Sequence, residues 1–358
     1  MISDSKGCRS RRMPAEWESC EGILLALPHS ASDWAPILQD AIDQYRRLIK
    51  AFVEAGEKCV VLANDAAQAR IDLEGIPMEH VTIVEMPIND TWTRDYGPIA
   101  AMRDERLRAI DFGFNGWGLK FPAFNDNLVN LRMRERFMVM PDTYRNCRSF
   151  ILEGGSIDTD GQGTLLTTSH CLLSPNRNGS MSKSEIAGVL ESELGAEHIL
   201  WLDYGALEGD DTDSHIDTLC RMAPGNCILF TGCRDMDDPH FEDLLKMRAQ
   251  LTAFRNMQGE PFNLIELPLP APQYDEDGSR LPATYANYLV TERNLFMPVY
   301  SMPLSAKDIL AINTVKIAFP EHQVIPVDCR VLLRQHGSLH CSTMQLPANL
   351  LNSTVYEH

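Results

Sequence analysis

Short apolar runs alternate along this chain with longer stretches whose apolar residues recur at helical spacing. The runs predict buried β-strands, and the stretches predict amphipathic helices. One order, a strand followed by a helix and a second strand, recurs along the sequence. The predicted strand, helix and strand are 22–27, 34–56 and 59–63; 163–168, 182–194 and 198–203; 227–230, 239–257 and 263–267; and 294–299, 305–318 and 323–328.

A fifth, less regular unit fits between Pro98 and Leu152, with an aromatic and glycine-rich insertion around 111–122. Because one such unit cannot bury its own apolar face, we expect several units to close around a shared axis. The alternative is an ordinary α/β protein whose elements alternate without symmetry. The pattern therefore predicts an α/β fold and favours a ring of five units.

Unusual polar residues stand directly before the first strand of each predicted unit, in segments 89–95, 153–156, 213–218 and 285–288. The segment 340–343, near the end of the chain, would lie before the first predicted strand if the ring closes. Five equivalent positions in a ring would all face its centre. The repeat therefore predicts one central site that gathers carboxylates, a histidine and a cysteine.

The residue types in these segments suit a guanidinium group, which is planar, permanently charged and rich in N–H donors. Asp95 and Asp217 could each present two oxygens to it. Glu153 could add a third acidic contact or orient His215. Trp92 could cover one face of the cation or exclude water.

Two further residues could carry out chemistry on the guanidinium carbon. Cys341, as a thiolate, would attack that carbon, and His215 would protonate the departing ammonia. His215 would then activate a water molecule, and collapse of the adduct would release a ureido product. This scheme requires no metal and no organic cofactor.

Each of these residues also has a purely structural explanation. A lone cysteine in an apolar run is most often a packing residue, and a lone histidine is most often structural. Asp95 could simply cap a turn or pair with its neighbour Arg94. Their combination at equivalent places in the repeat is what favours catalysis.

Composition and charge narrow the class of protein. Hydrophobic residues make up 44% of the 358-residue chain, which permits a large core. No apolar run approaches the ~18–20 residues of a membrane span, and the N-terminus lacks the hydrophobic core of a signal peptide. We therefore expect a cytoplasmic protein that does not contact a membrane. The ten cysteines include no C-x-x-C pair, which favours reduced thiols over disulfides or a zinc site.

The formal net charge is −18, from 50 acidic and 32 basic residues. Such a charge repels phosphate backbones, so we do not expect nucleic-acid binding. It would attract a small cationic partner towards an acidic cleft. The sequence does not distinguish a monomer from a homo-oligomer.

The same segments resemble the motifs of a known family. The matching segments are 89–98, similar to W-x-R-D-x-G-P; 153–157 with 163–168, similar to an E-G-G strand pair; the loop 171–178; 215–217; and His340-Cys341. Together they resemble the agmatine deiminases and bacterial-type peptidylarginine deiminases of the guanidine-modifying superfamily. The similarity runs from Met13 to about Pro347.

The resemblance implies a five-bladed α/β propeller, the pentein fold, built from repeated ββαβ units around a pseudo-five-fold axis. It implies one catalytic domain over 13–347, with 1–12 and 348–358 peripheral. It also implies that Cys341 is the nucleophile and His215 the acid/base. In this resemblance Asp95 and Asp217 bind the guanidinium and Glu153 supports them. The implied reaction is the hydrolysis of agmatine to N-carbamoylputrescine and ammonia, which feeds polyamine synthesis.

Some positions depart from the agmatine-deiminase pattern. Residues 335–339 replace a glycine-rich stretch that contains an asparagine, Thr93 stands where methionine is frequent, and Ser214 replaces a glycine. His336 could narrow the pocket, contact the substrate tail or fill a surface turn. These departures concern substrate specificity more than guanidine chemistry.

Alternatives to agmatine stay open from the sequence. Peptidyl-arginine or free arginine would need a donor for its carbonyl or carboxylate, whereas the amine of agmatine would suit Asp210, Asp211 and Asp213. Amidino transfer and a catalytically inactive guanidinium-binding paralogue are further alternatives. A metal hydrolase is disfavoured, because His215 and Asp217 lie two residues apart, which does not suit a helical metal pair.

Overall fold

A computed structural model describes residues 11–356 of the chain, in which strands and helices alternate as the sequence pattern indicates. The strands are β1 Arg11–Arg12, β2 Cys20–Ala26, β3 Cys59–Ala63, β4 Val81–Glu85, β5 Ile99–Arg103, β6 Arg106–Gly113, β7 Tyr144–Ile151, β8 Ile157–Thr159, β9 Thr164–Thr168, β10 His198–Leu202, β11 Cys220–Ala223, β12 Cys227–Gly232, β13 Asn263–Pro268, β14 Gln273–Tyr274, β15 Arg280–Leu281, β16 Leu289–Val290, β17 Asn294–Val299, β18 Gln323–Asp328 and β19 Met344–Pro347.

The helices lie mostly between the second and third strand of each unit. They are α1 Leu38–Glu54, α2 Ala66–Asp72, α3 Thr93–Tyr96, α4 Gly116–Leu119, α5 Val129–Glu135, α6 Ser169–Leu172, α7 Pro175–Asn178, α8 Lys183–Leu194, α9 Phe241–Ala253, α10 Ala306–Ala318 and α11 Arg330–Leu333. The predicted 34–56 helix is shorter as α1, and the predicted 239–257 helix is shorter as α9.

Five sheets, counted over residues 11–356, share one arrangement of strands. In each, a first strand pairs antiparallel with a second, and a helix then leads to a third strand parallel to the second. The sheets run β1-β5-β6-β7, β8-β9-β10, β11-β12-β13, β16-β17-β18 and β19-β2-β3-β4. The predicted α/β character and the recurring order of elements are therefore confirmed.

The two ends of the chain meet in one sheet. β19 pairs antiparallel with β2, with Met344 opposite Leu24, and β2 continues parallel to β3. Residues 23–26 of β2 are fully buried, as expected for a central strand whose two faces are both covered. The segment 340–343 therefore lies directly before β19, which pairs with the predicted first strand of the N-terminal unit.

Helix α1 shows how one element joins two units. Its residues Tyr45, Leu48 and Phe52 follow each other at three- and four-residue spacing and are fully buried. The ring of Phe52 meets that of Phe296 in β17 edge to face, with centroids 4.7 Å apart. This contact packs the N-terminal unit against the unit that ends with β18.

The predicted peripheral segment 1–12 lies almost wholly outside the described residues, whereas Leu350 and Val355 pack into the core. None of the helices within 11–356 is long and apolar enough to cross a membrane. The nine cysteines of the described chain are all free thiols.

Candidate active site

A cavity of about 310 Å³ opens beside Cys341. Its walls combine carboxylates with aromatic rings and carry no lysine or arginine from the described chain. The lining includes Asp33, Asp90, Asp95, Asp210, Asp211, Trp92, Trp117, Phe121, His336 and Cys341. A larger groove of about 620 Å³ lies between Gly232 and Thr314, but none of the predicted site residues lines it.

The polar segments reach the cavity because each one turns sharply just before its strand. α3 carries Asp95, and short 3-10 helices cover Gly154–Ser156 and Ile216–Thr218. A Cβ atom on Gly155 would lie 2.7 Å from His215 Nδ1 and 2.8 Å from Asp95 Oδ1. Only glycine therefore lets these two side chains approach the same point.

His215 is fully buried and does not itself line the cavity, but its ring faces Asp95, which does. Its Nε2 is 3.2 Å from Glu153 Oε2, and its Nδ1 is 3.6 Å from Asp95 Oδ1 without a hydrogen-bond partner. Burial alone would lower the pKa of His215, but Asp95, Cys171 and Glu153 together raise that pKa well above its usual value. The ring therefore favours the imidazolium form, which can give up a proton.

Glu153 orients His215 and is itself held by Arg177. Arg177 Nε lies 3.0 Å and 2.8 Å from the two oxygens of Glu153, and both side chains are fully buried. Burial opposes ionisation, but the bonds from His215 and Arg177 lower the pKa of Glu153. Glu153 thus contacts the histidine and stays outside the cavity lining.

Glu153, Cys171 and His215 also place three possible metal ligands within 4.8 Å of one another. Arg177 already donates to both carboxylate oxygens of Glu153. A metal ion there would face that guanidinium at close range, so this donor set does not suit a cation.

Asp213, predicted to bind the substrate, does not line the cavity. Its Oδ1 lies 2.8 Å from Lys120 Nζ and its Oδ2 lies 2.5 Å from Arg177 Nη1. Asp213 therefore braces the wall by holding two cations, whereas its neighbours Asp210 and Asp211 line the cavity itself.

Asp95 and Asp217 approach the nucleophile from different elements. Asp95 Oδ2 accepts a bond from Trp117 Nε1 at 3.0 Å, and burial raises the pKa of Asp95 to about 6. Asp217 Oδ2 lies 2.8 Å from His340 Nδ1, whereas its buried Oδ1 has no partner. Although burial opposes it, the bond from His340 lowers the pKa of Asp217. One carboxylate oxygen of Asp217 is thus buried without a partner, although Asp217 does not itself line the cavity.

Cys341 is 7% exposed, with its Sγ 3.3 Å from Asn287 Nδ2 and 3.8 Å from Asp217 Oδ2. Burial, together with Asp217 and Asp95, raises the pKa of the Cys341 thiol well above its usual value. The thiol therefore favours its protonated form. A bound cation would favour the thiolate.

Trp92 and His336 lie at the cavity wall. A Cβ atom on Gly337 would lie 2.2 Å from the ring of Trp92, so the backbone of Gly337 packs flat against that ring. His336 has a φ of 62° and its Nδ1 lies 2.8 Å from the carbonyl oxygen of Gly209. Both predicted substrate-binding residues thus border the cavity, and His336 links two loops at its mouth.

Several residues of the site carry no assigned role from sequence alone. Asn287 belongs to one of the polar segments, and Trp117 to the aromatic insertion, so both had a local signal. Arg177 lies in the loop 171–178, and its role depends on the distant Glu153. His340 and Glu16 bond each other across 324 positions of sequence, a contact that no local pattern reveals.

Comparison with known proteins decides the family. The profile of the Porphyromonas-type peptidyl-arginine deiminases matches residues 12–347. The chain belongs to this family. It is also 33% identical to the agmatine deiminase of Pseudomonas aeruginosa, over 94% of this chain and 95% of that protein.

Solved structures agree with this membership. A crystal structure provisionally assigned as a peptidyl-arginine deiminase is similar with a TM-score of 0.90 and 40% identity, covering 96% of this chain and all of that one. A cysteine-to-serine variant of Campylobacter jejuni agmatine deiminase with substrate bound gives a TM-score of 0.85 and 38% identity. That match covers 94% of this chain and 96% of the other. The chain is accordingly an enzyme that hydrolyses a C–N bond of a guanidino group.

Proposed function

We propose that this enzyme hydrolyses agmatine to N-carbamoylputrescine and ammonia. The observation that carries the proposal is the sign of the charge along the cavity. Cys341 and Asp95 line the cavity, and so do four further acidic residues, Asp33, Asp90, Asp210 and Asp211. A guanidinium bound at Cys341 and Asp95 therefore leaves other acidic side chains for the amine of agmatine.

Arginine fits this cavity less well than agmatine. Its α-carboxylate would face the carboxylates of the cavity. Among the lining residues of the described chain, His336 is best suited to offset that negative charge. Lys120 lies behind the wall, where its Nζ is 2.8 Å from Asp213 Oδ1. Like charges brought together in a buried site cost several kcal/mol, so the cavity favours the decarboxylated substrate.

The proposed mechanism assigns a role to each residue around Cys341. Asp95 and the free Oδ1 of Asp217 accept the guanidinium N–H groups, and Trp92 walls off the solvent. Cys341 loses its proton to solvent as the cation binds, and the thiolate forms a C–S bond with the guanidinium carbon. The C–N bond to one terminal nitrogen breaks, and His215 supplies the proton with which ammonia leaves.

Hydrolysis of the adduct completes the cycle. His215, now neutral, removes a proton from water as its oxygen attacks the amidino carbon. The C–S bond then breaks, which regenerates the thiolate and leaves a ureido group. Atoms balance as agmatine plus water giving N-carbamoylputrescine plus ammonia, and Glu153 keeps His215 aligned in both steps.

The same proposal extends to architecture. We infer that the five sheets close as a five-bladed propeller about an axis through the cavity. The contacts among their polar segments support this, because Asp95, Gly155, His215, Asp217 and Cys341 come from four different segments. We infer further that residues 13–347 form a single catalytic domain.

The test measures ammonia and ureido product from agmatine, arginine and a peptidyl-arginine. We expect turnover of agmatine in preference to both others, and its loss in Cys341→Ala. Cys227→Ala, at a thiol remote from the cavity, is the matched control and should keep wild-type turnover. Preferred turnover of an arginine compound would refute the substrate, and full activity of Cys341→Ala would refute the mechanism.

A further inference from the structure

His340 bridges two buried carboxylates directly behind the nucleophile. Its Nδ1 lies 2.8 Å from Asp217 Oδ2, and its Nε2 lies 2.8 Å from Glu16 Oε1. The ring is 1% exposed, so water does not offer either nitrogen another partner. The protonation of these three groups therefore has to be consistent with two short bonds.

Both oxygens of Glu16 already accept bonds from other donors. Oε1 lies 3.1 Å from Arg94 Nη1, and Oε2 accepts from Arg221 Nη2 and from Gln345 Nε2. A proton on either oxygen would point at a donor, so Glu16 is ionised. Arg221, His340 and Arg94 offset the cost of burial and hold the pKa of Glu16 well below its usual range.

Asp217 is the other acceptor. Its Oδ2 receives the bond from His340, and its Oδ1 has no partner to which a carboxyl proton could be donated. With both carboxylates ionised, each ring nitrogen of His340 faces a group that can only accept. Both nitrogens must then carry a proton.

We propose that His340 is held as an imidazolium and acts as a positioning residue, fixing Asp217 through Oδ2 so that Oδ1 stays free for the guanidinium. This inference rests on the proposed function for the identity of the substrate alone. Catalysis itself stays with Cys341 and His215. His340 acts through Asp217 and never touches the substrate.

The same residue also ties the backbone of the nucleophile. The amide N–H groups of His340 and Cys341 both donate to Asn287 Oδ1, at 2.9 Å and 3.3 Å. These bonds fix the orientation of the Asn287 amide and turn its Nδ2 towards Cys341 Sγ. A displacement of His340 would therefore disturb Asp217 and the thiol together.

The charged groups that face His340 all come from other elements. Asp217 lies in the turn before β11, Glu16 precedes β2, and Arg94 in α3 points its Nε at the His340 carbonyl oxygen from 3.5 Å. Arg221 of β11 lies beyond Glu16. The two carboxylates that touch the ring outweigh the more distant guanidinium groups, which contact Glu16 and not the imidazole.

The direct test is long-range ¹H–¹⁵N NMR of histidine-labelled full-length protein at about pH 7. We expect both His340 nitrogens to show the imidazolium signature, because each one faces an ionised carboxylate. The His340 signals are assigned from their absence in His340→Gln or from their shift in Glu16→Gln. A neutral His340 tautomer in the wild type at neutral pH would overturn the proposal.

Kinetics of Glu16→Gln supply the functional readout. The variant keeps the shape of Glu16 but removes one charge, so His340 loses one of the two ionised acceptors that hold it as an imidazolium. We expect its kcat for agmatine to fall below that of the wild type, because a neutral His340 can keep its Nδ1–H on Asp217 but supplies a weaker, uncharged bond. His198→Gln, at a remote histidine, should match the wild-type kcat.

The failures of the two proposals are distinguishable. If agmatine is not the substrate, the NMR state of His340 is unaffected and the same kinetics are measured with whichever guanidine is turned over. Wild-type kcat in Glu16→Gln, with His340 neutral in the variant, would refute the positioning role. A lower kcat in the variant, with His340 neutral, would support it.

Discussion

At the scale of single residues, the thiol of Cys341 is suppressed by the same carboxylates that would bind its substrate. Burial raises its pKa, and Asp217 and Asp95 add to that effect because negative charge disfavours a thiolate. A guanidinium placed between them would reverse the sign of the local field. The nucleophile would thus form when the substrate arrives and stay protected from oxidation and alkylation before that.

Asp95→Asn separates these two effects. The pKa of Cys341 should fall when a negative neighbour is lost, so we expect iodoacetamide, a neutral reagent, to alkylate the thiol faster at about pH 8. Agmatine turnover should instead fall by about 10²-fold, because a buried charge-assisted contact worth about 2–3 kcal/mol is removed. Mass spectrometry of the Cys341 peptide and initial rates measure the two quantities.

The pH dependence of alkylation tests whether the negative charge of Asp95 causes the difference in rate. Burial raises the pKa of Asp95 to about 6, so below that pH Asp95 is protonated in the wild type as well. The difference in alkylation rate between wild type and Asp95→Asn should therefore vanish below about pH 6. Asp237→Asn removes an exposed carboxylate and should change nothing, whereas slower alkylation of Asp95→Asn would contradict the argument.

Gly155→Ala tests the crowding between His215 and Asp95. The added methyl would lie within 2.8 Å of both groups, so at least one must move. We expect kcat to fall by about 10²-fold and stability to fall by about 1–3 kcal/mol. Rates and urea unfolding measure these, and wild-type kcat in Gly155→Ala would show that the close approach is not needed.

Gly188→Ala is the matched control for that substitution. A Cβ atom there meets nothing within 4 Å, and Gly188 lies inside α8. Alanine should stabilise this helix by roughly 0.5–1 kcal/mol and leave kcat unchanged. Comparison of the two variants thus distinguishes a steric clash at the active site from the general effect of glycine on chain entropy.

The sequence could predict only those site residues that lie at equivalent positions of the repeated units. Asp95, Glu153, His215, Asp217 and Cys341 do so, and the structure brings them together. Asp213 stands beside them in sequence, yet it points to Lys120 and Arg177, because orientation within a turn depends on the cations around it. Adjacency along the chain does not fix the direction of a side chain.

At the scale of elements, the sequence predicts the interiors of strands and helices better than their ends. β3 is buried along its whole length, which gives the continuous apolar run that marked it. α1 begins only at Leu38, because Pro36 and its neighbours form a 3-10 turn first. The two-residue strands β14 and β15 carry no such pattern and were not predicted.

The N-terminal cap of helix α10 also accepts hydrogen bonds from neighbouring buried residues. Ser305 and Asp308 form a capping box, and buried Asp308 Oδ1 accepts bonds from Tyr285 Oη and from the Tyr300 amide N–H. Ser305→Ala should cost about 1 kcal/mol, as a lost cap does. Asp308→Ala should cost about 3 kcal/mol, because buried donors also lose their acceptor.

The capping box of α8 is the matched comparison, since Ser182 and Glu185 make the same bonds on the surface. Ser182→Ala should cost as much as Ser305→Ala, and Glu185→Ala far less than Asp308→Ala. Urea unfolding midpoints with unchanged m-values measure all four. Equal losses for the two acidic residues would show that burial adds nothing to the cap.

At the scale of the whole molecule, the pairing of β19 with β2 joins segments from near both ends of the described chain, with Cys341 directly before β19. The sequence pattern alone left open whether the units close or simply alternate. The deciding contacts are long-range and polar, such as Glu16 with His340 and Arg221, and a period of apolar runs does not encode them. Local periodicity thus predicted the units but not the network that joins them.

The net charge of −18 and the acidic cavity make substrate capture sensitive to salt. Agmatine carries two positive charges, whereas butylguanidine offers the same guanidinium with a neutral tail. Raising ionic strength from about 0.1 M to about 1 M shortens the screening length from about 10 Å to about 3 Å. We therefore expect kcat/KM for agmatine to fall several-fold more than that for butylguanidine over this range.

Asp211→Asn locates the origin of that difference. Asp211 lines the cavity, and removing its charge should bring the salt dependence for agmatine closer to that for butylguanidine. The rates for butylguanidine should change little, because its butyl tail carries no charge that Asp211 could attract. If agmatine and butylguanidine respond identically to salt in the wild type, the second charge is not recognised, and the preference for a dication would have to be abandoned while the guanidine chemistry at Cys341 stands.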